Sequence, residues 1–459
     1  MSLSDSSSGE NNPEHVPAEL KRHLSMRYVV VVTIAMVIGA GIFKSPALVA
    51  ANAGSESVIY LLWITGGLIS LAGALCYSEL ATAFAHPGGD YHFLERAYGR
   101  RFAFLFAWAR LAVINTGAIA LLGFVIGDYM NRVFDLGPWG PSIYAFASVL
   151  GVTALKLRPG GEASDSAMVV VLILGLISLA AAAVWMDVRD ILPADPGLGA
   201  PPTLGGIGYG LVFVLLAFGG WTESATLSAE VKDGERGMVW GLVIAISIIT
   251  LLYLLTAWSM LRGLGLDGLA QSDAPAADLM DRAFGPGAGL VLAVGVVAAA
   301  VTSVNATIIV GARTTYAAAL AIPALSWVGR WNARTRSPRN AILVQGAISL
   351  GLVALGAAYE GFQTLVDYTA PIYWVFLIAS GLALIRLRYL HPETVRPFRV
   401  PLYPLVPAVF ILASSAMLVS AILYVGAGAW FGLAVLAAGG LLLLTLKPGQ
   451  KVTTAAEKV

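Results

Sequence analysis

Charge is scarce in this sequence: of 459 residues, 12% are Asp, Glu, Lys or Arg. Soluble domains carry nearer a quarter, so an ordinary water-facing globular surface is excluded. A single cysteine, Cys76, rules out an intramolecular disulfide and a cysteine metal site. The five histidines (His15, His23, His86, His92 and His391) all fall in polar tails or connectors. That placement argues against a zinc cluster or an imidazole relay inside the hydrophobic segments. A net charge of +1 gives no basis for a nucleic-acid partner. No cofactor and no metal is expected, and no cluster of acids, histidines and a nucleophile marks an enzyme.

What the chain has is hydrophobic length: 58% of its residues are apolar. A helix needs about 20 mostly apolar residues to cross the hydrocarbon layer of a bilayer. Twelve segments qualify, at 28–50, 57–83, 101–130, 139–156, 166–186, 206–230, 237–262, 285–312, 339–358, 363–387, 404–424 and 427–446. With both termini on one side, 22 Lys and Arg fall in segments on that side, four on the other and two within spans. This is the asymmetry of the positive-inside rule, with both termini cytoplasmic in the cell (inner) membrane. Residues 1–27 are rich in Ser, Asn and Glu, lack a signal-peptide core and read as a disordered cytoplasmic tail. Residues 447–459 form a second polar tail.

Glycines interrupt two of these spans. Gly39-Ala40-Gly41 breaks the first, and Phe218-Gly219-Gly220-Trp221 breaks the sixth. Backbone is left unpaired at membrane depth only where protein, water or a ligand satisfies it. Matched breaks in two halves of a chain point to the central site of a transporter. The expected architecture is therefore an all-α polytopic membrane protein of twelve transmembrane helices. It is a 5+5 inverted repeat (28–186 and 206–387) with discontinuous helices 1 and 6, plus two extra helices in 404–446. If the first helix restarts after Gly41, the N–H groups of Ala40, Gly41 and Ile42 suit a carboxylate. Carbonyls at Val37 and near Phe218 and Gly219 suit an ammonium. The same glycines also fit plain close helix packing.

Several motifs in order carry a family resemblance. Gly39-Ala40-Gly41-Ile42-Phe43 with Ser45-Pro46, Gly73 to Leu80, and Pro87-Gly88-Gly89-Asp90-Tyr91 come first. Ala217 to Trp221 leading to Glu230-Val231-Lys232, Ser303-Val304-Asn305 leading to Arg313, and Arg396 to Pro401 follow. Over about 28–445 the chain resembles the amino acid–polyamine–organocation superfamily, nearest its L-type and bacterial amino acid transporters. The resemblance implies an amino acid held between spans one and six, with walls from spans three, eight and ten. By position, Ala40 and Gly41 would take the carboxylate and the carbonyls of Val37 and Phe218 the amine. Thr222 stands where relatives place a polar contact. Leu216 stands where many place an aromatic gate. Span five has no lysine, near Val171 or elsewhere, although proton-coupled relatives carry one there. Asp233-Gly234 replaces a usual Asn-Pro. Relatives that join a heavy chain do so through an external cysteine, and Cys76 lies within span two, so no such partner is expected.

Polar residues at depth are costly and invite functional readings. Glu223, three residues past the second break, is the first candidate for a coupling proton site, or a carboxylate bonded to nearby backbone. Lys44 either tunes the outer vestibule or snorkels to the surface. Arg110 has the reach to meet the cytoplasmic interface. Asn115 and Tyr373 either line the pocket or pack between helices. Thr302 and Ser303 offer two hydroxyls toward a sodium site, which the absence of further oxygen ligands disfavours. The sequence reads as a secondary transporter of neutral amino acids working by alternating access, as exchanger or proton symporter. Its partners are the substrate and the lipid bilayer; the alternative is a polyamine or organic-cation carrier of the same fold.

Overall fold

The computed structural model describes residues 24–86, 88–158, 165–190, 201–232, 234–320, 327–332, 337–359, 361–424 and 427–445. The tail at 1–27 is described only from Leu24, and the tail at 447–459, Pro87 and Asp233 lie outside the described residues. Sixteen α-helices follow one another. They are α1 Met26–Val37, α2 Ser45–Ala53, α3 Glu56–Ala83, α4 Asp90–Tyr98, α5 Arg100–Ala109, α6 Asn115–Val133, α7 Gly140–Lys156 and α8 Asp165–Val188. Then come α9 Leu204–Ala217, α10 Gly234–Ala270, α11 Pro275–Phe284, α12 Ala288–Leu320, α13 Arg339–Ala357, α14 Phe362–Leu390, α15 Leu405–Tyr424 and α16 Ala427–Thr445. Among the described residues there is no strand, only isolated bridges joining Leu24 to Val231 and Asn332 to Ser337.

Eight described helices are long and apolar enough to cross a membrane, from Glu56–Ala83 to Leu405–Leu423. Met26–Val37, Leu172–Val188 and Gly428–Leu444 are shorter apolar helices. The outward faces fit a hydrocarbon solvent. On α3, Leu61, Ile64 and Leu68 recur at helical spacing and are 60%, 43% and 62% exposed. The opposite face of α3 buries Trp63, Gly66, Ser70 and Tyr77. Polar side chains inside and apolar ones outside is the arrangement a lipid environment selects.

Local chemistry sets the helix starts. Ser25 Oγ accepts the Tyr28 N–H at 3.3 Å, Ser55 Oγ accepts that of Val58, and Thr203 Oγ1 accepts that of Gly206 at 3.0 Å. Each satisfies one of the free N–H groups of a helix N-terminus.

The first span stops at Val37. Ile38 leaves the helical region at φ −74°, ψ 87°, Gly39 is extended, and a tight 3-10 turn, Ala40–Phe43, leads into α2. The sixth span stops at Ala217, and Gly220 at φ 105° turns the chain into a second 3-10 segment, Trp221–Leu227. That φ lies in the left-handed region where only glycine is at ease.

The four half-spans sort into two pairs. α1 packs on Trp221–Leu227: Thr33 and Ser224 share a buried 2.8 Å hydroxyl hydrogen bond. The Leu24 N–H donates to the Glu230 carbonyl at 3.0 Å, and the Lys232 N–H donates to the Leu24 carbonyl at 2.7 Å. α2 packs on α9, where a Cβ on Gly206 would stand 2.4 Å from the Asn52 carbonyl oxygen. The face that holds Leu24 and Val231 is the N-terminal face of the bundle.

Replacing Gly220 tests how tightly the breaks are seated. A Cβ there would lie 2.4 Å from the Met36 carbonyl oxygen, on backbone rather than on a movable side chain. Gly220→Ala should cost about 1–3 kcal/mol, read as a lower unfolding midpoint of the detergent-solubilised protein. An unchanged midpoint would show that the two breaks do not bear on each other.

Candidate functional site

The Gly220 contact means that the two interruptions face one another across a van der Waals gap. Open space flanks them. A Cβ on Gly41 would meet nothing within 4 Å, and one on Gly39 would meet only Ser303 Oγ at 3.7 Å. On the other side of the gap, a Cβ on Gly219 would lie 3.7 Å from the Tyr373 hydroxyl. Gly39 thus faces Ser303 of α12, Gly219 faces Tyr373 of α14, and the space beside Gly41 is open. Ala40 and Ile42 are buried within the 3-10 turn. Being at its start, Ala40 and Gly41 direct N–H groups that have no acceptor within the turn, whereas the Ile42 N–H falls to the carbonyl of the N-cap Gly39 in the i to i−3 pattern.

Tyrosine hydroxyls hold the released carbonyls. Tyr253 on α10, fully buried, sits with its hydroxyl 3.2 Å from the Val37 carbonyl oxygen and 3.0 Å from that of Ala217. One phenol therefore bridges the two interruptions, and having a single proton it donates to one carbonyl at a time. Trp63 at 5.5 Å and Phe218 at 5.1 Å pack edge-on against its ring. The Val37 carbonyl also accepts the Gly39 N–H at 2.8 Å. Tyr129 of α6 donates to the Phe43 carbonyl at 2.9 Å, closing the far end of the 3-10 turn.

Span three carries an irregularity of its own. Between α5 and α6, Arg110–Ile114 form a π-helical turn, and the Tyr368 hydroxyl donates to the Ala112 carbonyl at 2.7 Å. A π-bulge shifts helix register by one residue and frees a carbonyl. Here it stacks Arg110 on Asn115, with Nη2 3.5 Å from Oδ1.

Arg110 does not reach the membrane interface. It is 7% exposed, and its Nη1 lies 2.7 Å from Glu223 Oε1. A carboxylate brought to it inside the bundle removes the need to extend to water. Lys44 likewise does not snorkel. It is 7% exposed, 3.0 Å from Asp128 Oδ2 and 3.1 Å from Asp273 Oδ1, and it donates to the Asp273 carbonyl at 3.0 Å. Its two aspartates border a cavity of about 490 Å³ on the face opposite the N-terminal one, with Phe124, Trp139 and Tyr359 on the walls.

Asn115 belongs elsewhere. Besides Arg110 its neighbours are Gly311, where a Cβ would be 2.8 Å from the amide nitrogen, and through Gly311 the side chain of Gln345. Thr222 is buried on the 3-10 segment. Leu216 is half-buried and offers its carbonyl to the Gly219 N–H at 2.9 Å. Ser303 and Thr302 donate back to the carbonyls of Ala299 and Ala298, each at 3.1 Å. Glu79, 1% exposed, pairs with Arg388, accepts the Val400 N–H at 2.7 Å and lies 3.6 Å from Arg396. It ties the N-terminal face together.

Sequence reasoning passed over Tyr253, Tyr129 and Asp128, and named Asp90 only as part of a motif. A tyrosine in the middle of an apolar span was a usable signal, because its hydroxyl must find a partner there. The partners are set only by the packing.

A polytopic helical membrane protein whose two interrupted spans meet inside the bundle has the architecture of a carrier. The amino acid permease family matches residues 24–443, and the chain belongs to it. Similar proteins include the b(0,+)-type amino acid transporter 1 of Mus musculus, 26% identical over 418 residues, covering 88% of this chain and 83% of that one. The cystine/glutamate transporter of Homo sapiens is 25% identical over 407 residues, with 87% and 80% covered. The serine/threonine exchanger SteT of Bacillus subtilis is 24% identical over 415 residues, with 88% and 92% covered. The family and these relatives are transporters, not enzymes, and include exchangers. The protein is a multi-pass membrane protein, and the relatives it matches are transporters of amino acids.

Removing the bridging phenol isolates its role. Tyr253→Phe keeps the ring contacts and deletes the hydroxyl that serves the Val37 and Ala217 carbonyls. Stability should fall by about 1–3 kcal/mol, the cost of a buried acceptor left unsatisfied. Thermal unfolding in detergent reads this, and an unaltered midpoint would show that the bridge contributes nothing.

Proposed function

We propose that the protein moves neutral amino acids across the cytoplasmic membrane by alternating access. The observation that supports this reading is the seating of Gly220 against Met36 and Val37, which brings the two interruptions against each other. The N–H groups of Ala40 and Gly41 hold the substrate carboxylate, with Ile42 beside them, helped by the positive end of the turn. The carbonyls of Phe218 and Gly219 hold the ammonium. Val37 adds its carbonyl when the Tyr253 proton turns to Ala217, since its oxygen otherwise accepts from both Gly39 and Tyr253.

Thr222 and Tyr373 contact the side chain or the polar groups of the substrate, Asn115 lies further along the pathway, and Leu216 is the gate. The neutral preference follows from the pairing of both nearby charges, Lys44 with Asp128 and Asp273, and Glu223 with Arg110. That pairing also disfavours a polyamine, which would need Glu223 free.

Twelve spans, a 5+5 inverted repeat at 28–186 and 206–387, and extra helices in 404–446 complete the reading. The Lys and Arg distribution puts the N-terminal face in the cytoplasm. α1 with Trp221–Leu227 then tilts as the cytoplasmic unit, and α2 with α9 as the external one. The Arg110–Glu223 pair closes the first route and the Lys44 cluster the second. Cys76 is buried, which supports a carrier without a disulfide-linked heavy chain. Exchange needs no further device than these two closures.

Counterflow of the twenty amino acids in proteoliposomes tests the assignment. Gly41→Val should insert and keep its unfolding midpoint, because the space beside Gly41 is open, yet lose counterflow to background. Wild-type rates in that variant would remove the site.

A further inference from the structure

A second charged cluster adjoins the site on the N-terminal face, and one member of it has no assigned part. Asp90 opens α4, directly after Gly88 and Gly89. Its Oδ1 is buried and has no hydrogen-bond partner, and the same is true of Arg110 Nε. Gly89 rests on the moving segment: a Cβ there would stand 2.9 Å from Thr226 Cγ2 and 3.6 Å from the Thr226 nitrogen. Asp90 therefore rides on the 3-10 segment that carries Glu223, while Arg110 belongs to span three.

The groups that face Asp90 come from four elements: Tyr77 of α3, Arg110 of the π-turn, Glu223 of the 3-10 segment and Tyr373 of α14. Tyr77 also hydrogen-bonds its side chain. Two carboxylates against one guanidinium leave the cluster one negative charge out of balance, and the tyrosines are neutral. Burying an uncompensated charge costs several kcal/mol. A sodium ion would need several free oxygens, and a Glu223 oxygen is already committed to Arg110 at 2.7 Å. One proton balances the cluster without any new ligand.

We propose that Asp90, Glu223 and Arg110 form a one-proton site, loaded when the N-terminal face closes and emptied when that face opens to water. The proton comes from bulk water and returns to it; no other bond changes. Burial first, then the charge of Glu223, holds the Asp90 carboxyl up at about 7, against the lowering effects of Tyr77 and Arg110. The site is thus poised to load near neutral pH. The inference rests on the carrier reading above and adds to it the ion that closure binds.

Counterflow of an accepted amino acid at constant sodium, from pH 5.5 to 8.5, is the test. Wild type should show a midpoint near neutral pH. Asp90→Asn leaves one carboxylate with one guanidinium at every pH, so its profile should be flat. Glu223→Gln leaves Asp90 as the sole counter-charge of Arg110, so the midpoint should move down by about one pH unit or more. A wild-type profile in Asp90→Asn, or a sodium dependence at fixed pH in place of the pH dependence, would overturn the site.

Should wild type transport none of the twenty amino acids, the carrier reading fails, and the site is then judged by stability. A carboxyl raised on folding contributes stability that grows as pH falls through the folded value. The wild-type unfolding midpoint should rise from pH 8 to pH 6 by more than that of Asp90→Asn. Equal shifts in the two proteins would sink the proposal by that route as well.

Discussion

Backbone groups released where a helix ends inside hydrocarbon must be satisfied by something other than lipid, and that demand organises this protein. Two spans stop near their middles, at Val37 and at Ala217. The carbonyls freed there fall to Tyr253, the one at Phe43 to Tyr129, and the one at the π-turn of span three to Tyr368. Each phenol reaches from a neighbouring helix to a carbonyl freed in an irregular one. The neighbouring helices therefore act as the hydrogen-bonding solvent that the bilayer lacks.

Charge is treated in the same way. Three buried basic or acidic residues, Lys44, Glu79 and Arg110, each meet an opposite charge from another element. Such pairs contribute little net stability, because desolvation offsets attraction, but losing one partner costs about 3–5 kcal/mol. They fix which elements stay together. Glu79 binds Arg388 at the end of α14 and Arg396 beyond it, whereas Lys44 binds from span one to α6 and the segment before α11, and Arg110 from span three to the 3-10 segment of span six. Glu223 at 24% and Asp273 at 92% side-chain exposure are the less enclosed members of these pairs.

Much of the helical order was legible in the sequence, and for a plain reason. A hydrophobic run of membrane length admits few alternatives, and Gly39, Gly41, Gly219 and Gly220 sit where the observed helices stop. The reading of Arg110 at the interface and the snorkelling alternative for Lys44 went astray because helical rise measures depth and says nothing about neighbours. Distance along one helix placed Arg110 near the interface, while its partner Glu223 comes from a segment more than a hundred residues away. Asn115 was undecided for the same reason, and the π-turn that rotates it beside Arg110, Gly311 and Gln345 leaves no mark in the residue pattern.

By itself the sequence determined where helices run, where two of them are interrupted, and that the interruptions have to be matched by something polar. Hydropathy and glycine placement are local properties, readable one segment at a time. Only the tertiary structure decided that the first half of span one joins the second half of span six, that one phenol from α10 serves both interruptions, and that Arg110 of span three pairs with Glu223. Those are contacts between residues distant in the chain, and which of many chemically acceptable partners meet is settled by packing.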